Sequence, residues 1–197
     1  MRYLALVALA LWAYWSWWDN RSVAHAPGVL APANPSQKEI VEAEPLVHEG
    51  YELLPQADFS IRARVLSTEN YFLGQEADLS RTDLALGWGS MSDSSILDLL
   101  RITQHSRFYF WGTEKLPISS KKITAHSANM HLIPATDEIA AAIGDVIEGD
   151  IVRFRGKLVD ATNDDGWRWV TSLSRTDTGK DACELVFVEK FDVEKSP

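Results

Sequence analysis

The chain has 197 residues, 46 % of them hydrophobic and 24 % charged, which suits one folded domain with appendages and excludes a disordered polymer. Its formal net charge is −9 at pH 7, and an acidic chain gains no counterion-release energy from a phosphate backbone, so no nucleic-acid partner is expected. Basic residues gather only at Lys121–Lys122 and on the alternating positions Arg153, Arg155 and Lys157.

From Tyr3 to Trp18 the one hydrophilic side chain is Ser16. As a helix this run would be about 24 Å long, a little under the roughly 30 Å hydrocarbon core. Trp12, Tyr14, Trp15, Trp17 and Trp18 crowd its end, where amphipathic rings prefer a membrane–water interface. These features predict a transmembrane helix over 1–20, with the lipid bilayer as partner through residues 3–18. Ala24-His25-Ala26 fits a cleavage site, but Pro27 would follow the cut, so a retained signal-anchor is expected. Arg2 on one side, and Arg21 offset by Asp19 on the other, orient the N-terminus inward. The expectation is a single-pass bacterial inner-membrane protein with its C-terminal domain in the periplasm.

Pro27, Pro32, Pro35, Pro45 and Pro55 mark residues 21–57 as a proline-rich extracytoplasmic linker, with room for a short helix around Lys38–Glu44. The globular domain is expected over 58–197. Phe59, Ile61, Ala63 and Val65 alternate with Ser60, Arg62 and Arg64 as in a half-buried strand. Further strands are predicted at Arg107–Trp111, at Val152–Leu158, from Trp167 to Thr171 after an Asn163–Gly166 turn, and at Cys183–Val188. Ser92 or Asp93 can cap a helix carrying Ile96, Leu97 and Leu100; Thr136 can cap another carrying Ile139, Ile143, Val146 and Ile147. The fold class expected is mainly β (α+β): a small five-stranded OB-like Greek-key barrel with one or two short helices.

Three stretches also carry a resemblance: Asp83–Asp93 (DLALGWGSMSD), His126–Ala135 (HSANMHLIPA), and Gly166–Trp169 leading into Ser174–Gly179. The chain resembles a family of uncharacterised bacterial proteins with an N-terminal membrane anchor, over most of its length up to Glu189. The resemblance implies placement and domain integrity and no particular chemistry.

Candidate sites are few. His126 and His131 are five apart, so they can share a metal only on a loop, because a regular strand or helix points them apart. With Asn129 they form the candidate catalytic segment. Met130–Ala135 is similar to the metal-site segment of ββα-metal endonucleases, but the companion asparagine motif and the basic surface are missing. A His126–Ser127 pair with Asp93 or Asp177 lacks any nucleophile elbow. The alternative is that these side chains hydrogen-bond the backbone of a long loop. Trp88 between Gly87 and Gly89, with Trp167 and Trp169, can form a stacking platform for a ligand or pack a core. Arg175 can clamp an anion or pair with Asp177 or Asp181.

A single cysteine, Cys183, excludes an internal disulfide; no zinc-type spacing occurs, and no cofactor is expected. The function expected is a membrane-anchored extracytoplasmic domain that binds or scaffolds an envelope protein or glycan. The alternative is a metal-assisted or His-dependent hydrolase using His126–His131.

Overall fold

The computed structural model describes Val7, residues 22–174 and residues 183–194. In chain order the elements are β1 (Ser36–Glu39), β2 (Leu46–His48), β3 (Tyr51–Asn70), α1 (Gln75–Leu79), β4 (Thr82–Gly87), a 3-10 turn (Gly89–Ser92) and α2 (Ser94–Leu97). Then follow β5 (Arg101–His105), β6 (Phe108–Gly112), α3 (Ser120–Ala125), β7 (Ser127–Pro134), α4 (Asp137–Gly144), β8 (Ile151–Thr162), β9 (Arg168–Trp169) and β10 (Glu184–Glu194).

The 20-residue strand β3 organises the rest. One edge pairs with β8 from Glu52 to Arg64; on the other edge its early part takes β2 and β1 and its last part takes β4. From β4 the hydrogen bonding passes to β7, then to β10, then to β8, and so back to β3. These five strands close on themselves, with β7–β10 the parallel contact and the others antiparallel. Closure removes the unpaired edges that would otherwise invite another chain.

Phe59, Ile61, Ala63 and Val65 fill the ring from β3, Leu84 and Leu86 from β4, Met130 and Leu132 from β7, and Phe154 and Val186 from β8 and β10. Ile139 and Ile143 of α4 pack against this interior. Thr136 caps α4 by accepting from the Ile139 amide, and Asp93 caps α2 by accepting from the Ser95 amide. The Asn163–Gly166 turn leads back to β9, which pairs with the end of β8 at Ala161 and Thr162.

The outward face of β4 and β7 is also covered. The separate hairpin β5–β6 lays Ile102, Tyr109 and Trp111 over Leu66, Ala85 and Met91, while Trp167 and Trp169 pack with Ile133 and Leu185. All six residues of β4 are therefore buried.

Two expectations are corrected. The five-stranded OB-like Greek-key barrel preceded by a transmembrane helix gives way to an eight-stranded mixed sheet, a two-stranded hairpin and four short α-helices among the described residues. Counting fell short because β1 and β2 are too brief to show a period, and β4 and β7 lack an alternating one; the strand expected from Trp167 to Thr171 is present as the short β9. The membrane and signal-anchor expectation, with its inner-membrane and periplasmic placement, is overturned as well: among the described residues no helix is long and apolar enough to cross a membrane. The run 3–18, Val7 apart, lies outside the described residues; it is shorter than a usual span, and much of it is tyrosine and tryptophan.

Within the stretch read as linker, Ser36–Glu39 is a strand where a short helix had room to form. Residues 22–31 lie along the barrel, and 51–57 already belong to β3: Val23 donates to Glu148 O at 2.8 Å, Gly28 N to Asp93 at 2.9 Å, and Ala31 is buried and donates to Ser92 Oγ at 3.0 Å.

Candidate functional site

The expected His126–His131 segment does not converge. His126 ends α3, and its Nδ1 accepts from the Ser90 amide at 3.3 Å. Gly89 sits face-on to this imidazole with φ near +50°, a position where a Cβ would press on the ring. Burial, with Lys122 nearby adding to it, lowers the His126 pKa below the usual histidine value. The Trp88 amide donates to His126 O at 2.9 Å, and the Trp88 indole is 1 % exposed within the barrel core. Trp88 is thus a packing residue.

His131 lies in β7 directly opposite Asp83 of β4. It is 3 % exposed, with Nδ1 2.9 Å from Asp83 Oδ1, a close approach without the alignment of a hydrogen bond. The ring leans on Trp169 at 4.7 Å between centroids. Asp83 is fully buried and accepts from Arg107 Nη1 at 2.7 Å; its Oδ2 has no hydrogen-bond partner among the described residues. The Arg107 guanidinium stacks on Tyr71 at 3.8 Å and faces Trp169 at 5.5 Å.

Asn129 spends both ends of its amide on the hairpin. Its Nδ2 donates to Arg107 O at 2.9 Å, and its Oδ1 accepts from Gln104 at 2.7 Å. Trp167 packs edge-on to Tyr51 and to Trp169. The structure therefore brings His131, Asn129 and Trp169 together around Arg107 and Asp83, and leaves His126 and Trp88 with other neighbours. Arg175 lies outside the described residues. Among the described residues no group of three His, Cys, Asp or Glu is placed to hold a metal ion. This cluster joins the hairpin to β4 and β7.

An open site lies elsewhere, on the solvent face of β3, β8 and β10. A groove of about 480 Å³ is lined by Arg62, Arg153, Arg155 and Lys190, with Asp192 its one carboxylate and Ala33–Ser36 on the near side. A smaller hollow continues past Ser36, Ser60 and Arg155 to Lys38, Asp58 and Glu189.

Sheet register builds the groove in rows. Lys157 pairs with Asp58 at 3.1 Å in one row; Arg62 and Arg153 share Glu194 in another, Arg62 by two bonds of 2.8 and 2.6 Å. The hydrogen bond to Glu194 raises the Arg62 pKa, and the same bond lowers that of Glu194. Between these rows Ser60, Arg155 and Lys190 stand side by side; the row itself carries no acid, and the Lys190 ammonium reaches Asp192 of the next row at 3.4 Å. Arg155 makes no ion pair with any described residue.

The sequence carried half of this signal in Arg153, Arg155 and Lys157; the register that adds Arg62 and Lys190 was not legible there. No family model matches the chain, and no curated protein or solved structure matches it.

Proposed function

We propose that this protein is a non-enzymatic binding module whose groove across β3, β8 and β10 receives acidic side chains of a protein partner. The observation that carries this reading is the exposed Arg155, which has no ion pair among the described residues and stands directly opposite Lys190, itself held only by Asp192 at 3.4 Å among those residues. Like charges directly opposite each other on neighbouring strands destabilise a sheet, so an arrangement that sets Arg155 against Lys190 gains when carboxylates lie between them. Arginine is suited to that task, because its planar fork meets a carboxylate through two parallel hydrogen bonds.

The overall charge of −9 disfavours a nucleic acid, whose long phosphate backbone would meet repulsion beyond the groove. The cations occupy three adjacent strands, a width of about 10 Å at roughly 4.8 Å per strand, which suits a short acidic stretch. A glycan stacked on tryptophan finds less support, since Trp88 is enclosed and Trp167 and Trp169 already pack on protein rings. A His-dependent hydrolase is less favoured because His126 is held by the Ser90 amide while His131 lies against Asp83.

The test is fluorescence anisotropy with a labelled oligo-glutamate peptide at low ionic strength. Binding should weaken with added salt and fall at least tenfold in the double variant Arg155→Glu, Lys190→Glu. Equal affinity in that variant would overturn the proposal. So would tighter binding of a single-stranded oligonucleotide of matching charge.

A further inference from the structure

A second cleft, of about 510 Å³, opens where α1 and α4 meet the ends of β3, β4 and β7. Its floor is apolar: Leu79, Leu132 and Ile143 are buried there beside Pro134. Ala140, Ala141 and Gly144 of α4 form an exposed wall, and a Cβ on Gly144 would touch nothing within 4 Å. Phe72 stands at the mouth 73 % exposed, and the next residue, Leu73, is 91 % exposed. Two adjacent large apolar side chains left in water beside a concave apolar floor mark a contact surface better than a packing defect.

The rim decides what fits. Glu49, Asp78 and Asp137 line it against the single cation Arg81, which leaves an excess of two negative charges. That sign repels an acidic segment of the kind proposed for the basic groove, and it equally repels an anionic lipid surface. From these observations we infer that the cleft between α1 and α4 binds a basic amphipathic segment of a partner protein, with its apolar side chains on the floor and its lysines or arginines at the rim. This is the groove mode of peptide recognition, in which pockets take the anchors and flanking charge sets orientation. It stands independently of the basic groove, which shares no lining residue with it and carries the opposite sign.

The experiment uses the full chain and a labelled amphipathic Lys/Leu peptide, followed by fluorescence anisotropy. Ala141→Trp fills the cleft from an exposed position, and Asp78→Lys with Asp137→Lys reverses its rim; each should weaken binding at least tenfold while circular dichroism and melting temperature stay near those of the parent. A matching Glu/Leu peptide should bind at least tenfold more weakly than the Lys/Leu peptide. The inference is overturned if Ala141→Trp leaves affinity unchanged or if the Glu/Leu peptide binds equally well. It is overturned too if Glu114→Lys, outside the cleft, causes the same loss, because net charge alone would then explain the binding.

Discussion

Arg107 reaches from the tip of the β5–β6 hairpin to place its guanidinium 2.7 Å from the fully buried carboxylate of Asp83. The tip is a two-residue turn in which Ser106 and Arg107 both have positive φ, 53° and 69°. That handedness matches the twist of a tight hairpin but is usually supplied by Asn-Gly, since other residues lose about 1 kcal/mol or more there. Docking offsets the strain. The Arg107 amide donates to Tyr71 OH at 2.8 Å, its carbonyl accepts from Asn129, and its side chain is sandwiched by rings. Arg107 thus pegs the tip of the hairpin to the barrel, beside the apolar packing of Ile102, Tyr109 and Trp111.

Removing the peg should be costly. Arg107→Ala leaves Asp83 buried without its cation, for which about 3–5 kcal/mol is typical. We expect urea unfolding to show a loss of that order, with Arg107→Ala combined with Asp83→Asn recovering part of it. A loss below about 1 kcal/mol for the single variant would show the pair to be dispensable.

The turn itself should be improvable. Ser106→Asn keeps the hairpin geometry while supplying a residue that tolerates positive φ, and should raise stability by about 0.5–1 kcal/mol. Denaturant midpoints compared at constant slope would test this, and a lower midpoint would contradict it.

Acid should weaken the contact between α3 and the 88–90 turn. Burial lowers the His126 pKa, and the neutral ring accepts from Ser90. A lowered folded pKa means that the contribution is complete above the unfolded value of about 6.5 and is lost as pH falls from there through the folded value. The urea midpoint of the parent should therefore drop between pH 7.5 and 5.5 by more than that of His126→Gln. Equal drops in both proteins would refute the assignment.

Gly149 should not tolerate a side chain. A Cβ there would overlap the carbonyl of Val23, and φ is +94°. The same turn holds Val23 through Glu148 O and His25 through Gly149 O, each at 2.8 Å. Gly149→Ala should cost more than about 1 kcal/mol and release the 22–31 segment to protease. Unchanged melting and unchanged proteolysis together would refute this.

What the sequence shows depends on which strands face water. β3, β8 and β10 each keep part of one face solvated, so Phe59–Val65 and Val152–Leu158 alternate visibly. β4 is covered by the barrel interior on one side and by the hairpin on the other, so Asp83–Leu86 has no period to read. β7 is hidden in the same way, which is why His131 looked like a loop residue when it is the cross-strand partner of Asp83. Proline density also misled: Pro55 sits inside β3 at a register shift, where a bulge accommodates its missing amide donor. The cap at Thr136 was plain and the other was narrowed to Ser92 or Asp93, of which Asp93 serves, because caps depend on local residues alone. The basic groove needed the register of β3, β8 and β10, a non-local property that no single strand discloses.

The route by which the ring closes bears on how the chain acquires its shape. β3 emerges early, yet Glu52 must wait for Thr162 and Arg64 for Ile151, and the gap between β7 and β8 is sealed only when β10 inserts. Pairings so distant along the chain place folding in the slow, millisecond-to-second range and late in synthesis. Until β10 has emerged and inserted, β7 and β8 each present an unpaired edge of the kind that invites pairing with other polypeptides.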